Sequence, residues 1–297
     1  MKRINNLNAH DSNRGSGDSY SPVATIISVS MLILSLFSLI KARELVKVEL
    51  SDELVIEEIA LDVFLVTHSF PWPGNSLGIR LDDHNLLWID TPYTPDATAQ
   101  VLDWFLGRFG NQMKVTEINT GFHIDNLGGN RELKRRKFPI YGSNLTCELL
   151  RTKSKATMAK LDVWLNDPNY ARLRDVYRDF IFTEPTNVFD IKEKQVITVG
   201  TENVEIYFPG PTHTYDNVVV YLPGRKILFG GCMVLSAEAN KLGFIDDGNV
   251  AEWAKSIGKV KTRYRDITIV VPGHGKAGGK SLLDHTMAVI DEFQSIR

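Results

Sequence analysis

The chain has 297 residues, with 34 Lys and Arg against 36 Asp and Glu, for a formal net charge of −2. That balance excludes a protein built to grip nucleic acid or an anionic surface, which needs a clustered excess of cations. With 43% hydrophobic and 24% charged residues, 22 Gly and 12 Pro, collagen-like, coiled-coil and disordered classes are excluded too; two cysteines, Cys147 and Cys232, are too few for a disulfide scaffold.

Residues 1–43 read as an N-terminal leader, separate from a domain over residues 44–297. A polar tail precedes an uncharged run over residues 23–40, closed by Lys41 and Arg43. Eighteen helical residues would reach roughly 27 Å, which suits a long signal-peptide core or a marginal membrane anchor. Lys2, Arg3 and Arg14 supply a basic n-region, and Ile40-Lys41-Ala42 approximates a cleavage site. Either reading expects export, with the protein periplasmic or tethered through residues 23–40 and facing the periplasm.

From Glu44 the pattern becomes regular. Ile56 to Val66 and Leu77 to Asp90 read as hairpin material with a turn at Asp82 to Asn85. Thr94 then offers an N-cap with Pro95 at the first helical position. Val101, Leu102, Phe105, Leu106 and Phe109 follow at helical spacing until Gly110. A strand at Val115 to Ile118 runs into a loop with Gly121, His123 and Asp125, and a second helix carries the basic run Lys134 to Lys137. Between Leu149 and Phe182, Met158, Leu161, Trp164 and Leu165 predict a further helix, broken by Pro168 before another. Strand, loop and helix keep alternating, so the fold class is α/β with polar residues at strand ends.

Four segments concentrate the chemistry: Asn119 to Asn126, Gly210 to Asp216, Gly230-Gly231-Cys232, and Pro272 to Gly275. Each sets a metal-ligating side chain on a glycine-containing turn beside an apolar strand. One such His is most simply a surface or hydrogen-bonded residue, and Cys232 alone a small buried hydrophobe. Together, imidazole, thiolate and carboxylate are the donors of zinc, whereas calcium and magnesium take oxygen cages. His10, His68, His84 and His285 lack this context and read as surface or supporting residues.

In this order the four segments resemble those of the metallo-β-lactamases, over roughly residues 48 to 296. The marks are His123 and Asp125 before Gly128-Gly129, the turn ending at His213, Gly-Gly-Cys232, and Val-Pro-Gly-His274. The resemblance implies a four-layer αββα sandwich of two similar halves, with zinc at one edge of the paired sheets. It also implies hydrolysis of the β-lactam amide of penicillins, cephalosporins or carbapenems, and hence antibiotic resistance. Cys232 points to the true β-lactamase branches, because hydrolases of the wider superfamily place a bridging Asp there. Asp125, Cys232 and His274 match the family's Asp-Cys-His zinc site. His123 and His213 match two ligands of its three-histidine site, whose third position is Gly121. One zinc is therefore expected, with a second bound weakly and Gly121 leaving space for water or an added ligand.

As implied roles, His123 and His213 hold the attacking water or the developing oxyanion, and His123 or Asp125 takes the proton. Asp90 matches a carboxylate that orients a ligand. Leu235 stands where many relatives carry a carboxylate-binding Lys, and Phe244 where a loop often has Asn; Lys241, Arg151, Lys153 and Lys155 are candidate replacements. These departures keep open a second reading, a hydrolase of the same fold acting on a lactone or thioester. The extra helix over residues 155–180 packs on the core or overhangs the zinc. A monomer with a small-molecule substrate and no nucleic-acid partner is expected.

Overall fold

The computed structural model describes residues 45–178 and 180–296, so the leader expectation for residues 1–43 lies outside the described residues. From Leu45 onward the chain is a single compact unit. Among the described residues no helix is long and apolar enough to cross a membrane.

The first sheet has eight strands in sequence order. Strands β1 (Lys47–Ser51), β2 (Leu54–Ala60), β3 (Val63–Ser69), β4 (Pro73–Arg80) and β5 (Asn85–Ile89) form an antiparallel meander. Strands β6 (Lys114–Ile118), β7 (Ile140–Ser143) and β8 (Asn187–Phe189) then add in parallel. The switch requires crossovers, which helices supply. Helix α1 (Pro95–Phe109) joins β5 to β6; Thr94 caps it by accepting from the Ala97 amide at 3.2 Å, and Gly110, at φ 107°, ends it. Such a cap contributes about 1 kcal/mol. Short helices α2 (Ile124–Leu127) and α3 (Asn130–Arg135) follow β6. The predicted interruption at Pro168 is a 3-10 turn, Pro168–Tyr170; before it run α4 (Asn144–Thr152) and α5 (Ser154–Trp164), and after it α6 (Ala171–Arg178).

The second sheet has the order β13-β12-β11-β10-β9, from β9 (Gln195–Val199), β10 (Glu202–Tyr207), β11 (Val219–Leu222), β12 (Ile227–Gly231) and β13 (Ile269–Pro272). Only β12 and β13 pair in parallel, with α7 (Val250–Arg263) between them, and α8 (Ser281–Ser295) closes the chain.

Side-chain alternation along the strands assigns the layers. In β5, Leu86 and Trp88 pack against α1 residues Val101 and Phe105, while Leu87 and Ile89 face the second sheet. In β11, Val220 and Leu222 meet the first sheet and Val219 and Tyr221 lie under Trp253 of α7 and Leu283 of α8. Three apolar interfaces therefore stack helix, sheet, sheet and helix, the expected four-layer αββα sandwich. The two sheets differ in size, eight strands against five, because the meander and β8 extend the first one.

Candidate metal centre

The parallel pairs determine where the polar residues gather. Ile89 pairs with Ile118 and Gly231 with Pro272, so the loops after β5, β6, β12 and β13 leave the sheets at one edge. Asp125 follows β6 at the start of α2, Cys232 follows β12, and His274 follows β13. Gly273 permits the last approach, because a Cβ there would lie 2.7 Å from the Cys232 amide nitrogen.

The three ligand atoms converge. Asp125 Oδ2 lies 3.2 Å from Cys232 Sγ and 3.1 Å from His274 Nε2, and Sγ lies 3.8 Å from Nε2. Donors bound to zinc at 2.0–2.3 Å and tetrahedral angles sit roughly 3.3–3.6 Å apart, so this set fits the ion. His274 Nδ1 donates to the Pro73 carbonyl at 2.7 Å, so Nε2, which faces Asp125, is the nitrogen that would present a lone pair to zinc once its proton is released. Asn75 fixes the same turn, donating from Nδ2 to the carbonyls of Pro272 at 2.9 Å and Gly275 at 2.7 Å. Strand β4 of the first sheet thus holds the His274 turn of the second.

The site's electrostatics follow from burial and charge. Burial pushes the Cys232 thiol well above its usual pKa, and the Asp125 carboxylate adds to the shift. For Asp125 burial acts upward, but the hydrogen bond and charge of His274 outweigh it and hold the carboxyl well below its usual range. His274, 46% exposed at the mouth, is shifted upward because its hydrogen bond and charge interaction with Asp125 exceed the opposing desolvation.

His123 and His213 lie beside this trio, with ring centroids 5.2 Å apart and near-perpendicular planes. The group of three ligand atoms within 4.8 Å of one another comprises Asp125, Cys232 and His274, so the two further histidines form a separate pair. Burial, then the neighbouring His123, lower the His213 pKa to about 3, which keeps its ring neutral. His123 Nε2 meets Asp247 Oδ2 at 3.1 Å. Because a carboxylate only accepts, Nε2 carries the proton and Nδ1 the lone pair.

The space expected at Gly121 is filled. A Cβ on Gly121 would stand 2.6 Å from Asn217 Nδ2 and 2.9 Å from Asn126 Oδ1. Asp90 reaches the ligands indirectly, with no hydrogen bond to the Asp125, Cys232 or His274 side chains themselves. Its carboxylate accepts from the Thr120 amide at 2.7 Å, the Thr120 hydroxyl at 2.6 Å and Asn126 Nδ2 at 2.9 Å. Asn126 Nδ2 also lies 3.5 Å from Cys232 Sγ. Asp90 therefore shapes the loop that presents His123 and Asp125, from a left-handed backbone at φ 58°. Such a conformation is costly for a residue with a Cβ and persists where surrounding bonds enforce it.

A cavity of about 900 Å³ opens over the metal residues. Helix α5 forms one wall with Thr157, Met158, Leu161 and Trp164, so the segment over residues 155–180 overhangs the site through its first helix. The Trp164 ring stands 5.6 Å from Trp72 and 5.4 Å from Phe244, and Phe244 stands 5.7 Å from His123. Of the candidate cations, Lys241 lines this cavity. Arg151 is exposed and paired with Glu184, and Lys155 lines a separate depression with Arg174 and Arg178. Leu235 lines the cavity while packing on the α7–α8 core.

Sequence reasoning missed Asn75, Asp247 and Asn217. Each acts through a hydrogen bond across more than 90 residues, and only the Asn217 position, beside the His213 turn, carried a local hint. Of the other histidines, His84 is exposed. His68 is buried, stacks on Phe70 and accepts from the Tyr93 amide at 3.1 Å, supporting a cavity residue; burial, with Arg172, lowers its pKa to about 4. His285 Nε2 meets the Ala239 carbonyl at 2.8 Å. His10 lies outside the described residues.

Comparison with known proteins adds a family match and close relatives. The model of the metallo-beta-lactamase superfamily matches residues 71–274. A metallo-beta-lactamase type 2 of Bacillus sp. (strain 170) is 34% identical over 219 residues, 73% of each chain. One from Bacteroides fragilis is 28% identical over 273 residues, covering 90% of this chain and 96% of that one. Among solved structures, a metallo-beta-lactamase from Pontibacter korlensis aligns with a TM-score of 0.59 and 27% identity over 84% of this chain and 99% of that one. The DIM-1 metallo-beta-lactamase aligns at 0.64 and 26%, over 84% and 100%.

Proposed function

The chain belongs to the metallo-beta-lactamase superfamily, and on that premise we propose that it hydrolyses the amide bond of β-lactam antibiotics with zinc held by Asp125, Cys232 and His274. The observation that carries the reading is the convergence of these three donors, 3.1–3.8 Å apart, beneath a cavity of substrate size.

Bound there, zinc supplies a Lewis acid and brings the pKa of water toward neutrality. The chain's residues do the rest. His123, fixed by Asp247 through Nε2, offers Nδ1 to take the proton of the attacking water. His213, neutral and buried, orients that water or the developing oxyanion. Asp125, beside Cys232 and His274, acts as a ligand and is the second candidate to take that proton. The Trp72, Trp164 and Phe244 rings exclude water from one side of the cavity and clamp the substrate's apolar body. Lys241 supplies the cation for the substrate carboxylate in place of the Lys that Leu235 replaces.

One zinc is the working complement, with a second bound weakly at His123 and His213, because Gly121 supplies no third ligand atom and the Asn126 and Asn217 side chains crowd the place where one would begin. The protein acts as a monomer in the periplasm, free or tethered through residues 23–40. An assay of zinc-loaded protein on penicillins, cephalosporins and carbapenems tests the reading, and a complete lack of turnover contradicts it. The apolar lining by Leu235, Trp164 and Phe244 favours a second reading, hydrolysis of a lactone or thioester with an apolar acyl chain. The same assay with such esters separates the two.

A further inference from the structure

Helix α5 is attached to the loop after Cys232 along one face. Thr157 Oγ1 donates to Asp247 Oδ2 at 2.8 Å, Lys160 Nζ pairs with Asp246 Oδ2 at 2.7 Å, and the Trp164 ring meets Phe244. Spacings of three and four residues put these side chains on adjacent turns. The same carboxylate oxygen that receives Thr157 also receives His123 Nε2 at 3.1 Å, and both the Asp247 and His123 side chains are close to fully buried, 11% and 8% exposed.

Thr157 behaves unlike Thr152, Thr262 and Thr286, and like Thr146, whose hydroxyl also donates to a buried carboxylate, Asp216 Oδ2, at 2.8 Å. Thr152, Thr262 and Thr286 return their hydroxyls to the carbonyl four residues back, at 2.9, 2.9 and 2.7 Å. Thr157 has that option at Lys153, but at 3.3 Å, and makes its short contact outward to the carboxylate. A hydroxyl has one proton, and a charged acceptor at 2.8 Å takes it in preference to a neutral one at 3.3 Å.

We propose that Thr157 is a positioning residue for His123: its hydroxyl fixes the Asp247 carboxylate, the same oxygen holds His123 Nε2–H, and the seating of α5 thereby determines which ring nitrogen faces the reaction. The relay makes the wall of the cavity and the proton-accepting histidine one unit. A substrate that seats α5 firmly also fixes the His123 ring, and one that displaces the helix releases it. The catalytic consequence rests on the proposed function above, whereas the hydrogen-bond relay does not.

The test uses the full-length protein with Thr157→Val, which removes the hydroxyl at constant shape, and Thr157→Ser, which keeps it. Imidazole nitrogen NMR of the metal-free protein reads the His123 tautomer without reference to activity. Wild type is expected in the Nε2–H form, the Val variant in a mixture of tautomers, and the Ser variant in the wild-type form. With zinc and a chromogenic cephalosporin, Thr157→Val is expected to lower kcat by about 3- to 10-fold with KM within about twofold, below the range for direct partners of metal ligands because it acts one bond further out. Thr157→Ser restores kcat. Thr157→Ala carries the same expectations should Val pack poorly. Unmoved His123 shifts in the Val and Ala variants, a Ser variant that behaves like Val, or moved shifts with unchanged kcat each overturn the proposal. If zinc-loaded wild type turns over no β-lactam, the functional reading fails while the nitrogen shifts still decide the relay.

Discussion

Gly121 and Asn217 are packed so closely that a Cβ on the glycine would come within 2.6 Å of the Asn217 side-chain nitrogen. The vacant-ligand reading of Gly121 predicts that a histidine there tightens a second zinc. The packing predicts otherwise. Gly121→Ala and Gly121→His should destabilise the fold by about 1–3 kcal/mol, as overpacking of a filled site does. Gly121→His should leave the zinc stoichiometry unchanged. Thermal denaturation and metal counting check both, and a second tightly bound zinc in Gly121→His would contradict this account.

Zinc binding should release protons. Burial and Asp125 raise the Cys232 pKa well above its usual value, so the metal-free protein carries a thiol at neutral pH that must ionise to bind. His274, shifted upward by Asp125, adds a second proton as pH falls. Affinity therefore rises with pH, by about tenfold per unit where one proton is displaced. Calorimetry in buffers of different ionisation enthalpy measures the release.

Glu117 gives a stability prediction with the opposite sign. It is fully buried, its Oε1 accepts from Asn119 Nδ2 at 3.2 Å, and its Oε2 has no partner among the described residues. Burial, with Asp90 adding, raises its pKa well above the usual carboxylate value. Above about pH 4.5 the unfolded chain has lost this proton while the folded chain keeps it, so stability falls as pH rises toward the folded pKa. Glu117→Gln should flatten that slope, which for one group is at most about 1.4 kcal/mol per pH unit. Urea unfolding at several pH values measures it.

Lys241 and Trp164 should affect substrate capture more than the chemical step. Lys160 is engaged by Asp246, and Lys241 lines the cavity on the loop after Cys232. Lys241→Ala is expected to raise KM for carboxylate-bearing β-lactams by about 5-fold, the effect of roughly 1 kcal/mol, with kcat little changed. Trp164→Ala, which removes the ring between Trp72 and Phe244, should raise KM most for substrates with bulky apolar side chains. Steady-state kinetics across a substrate series resolves both.

Much of the fold was legible because local signals and burial agree. Thr94, Pro95 and Gly110 mark α1 at the residues where it begins and ends. The alternation in Leu86 to Ile89 separates the two faces of a strand buried on both sides. Cys232 and His274 stood out because four ligating segments on glycine turns occur together, although each residue alone has a plain structural explanation. The supporting contacts were hidden because Asn75, Asp247 and Asn217 belong to residue types found in any loop, and what distinguishes them is a partner far away in sequence. Gly121 shows the converse limit. A missing side chain in sequence reads as space, and only packing shows that Asn126 and Asn217 fill it.

The central claim is that Asp125, Cys232 and His274 form the working zinc site of a β-lactamase. Titrating zinc into chelator-stripped protein while following a chromogenic cephalosporin tests it most directly. The account predicts turnover that rises from near zero and saturates at about one equivalent, with Cys232→Ser needing at least about 10-fold more zinc. No turnover at any zinc concentration, or turnover that Cys232→Ser leaves intact, would contradict it.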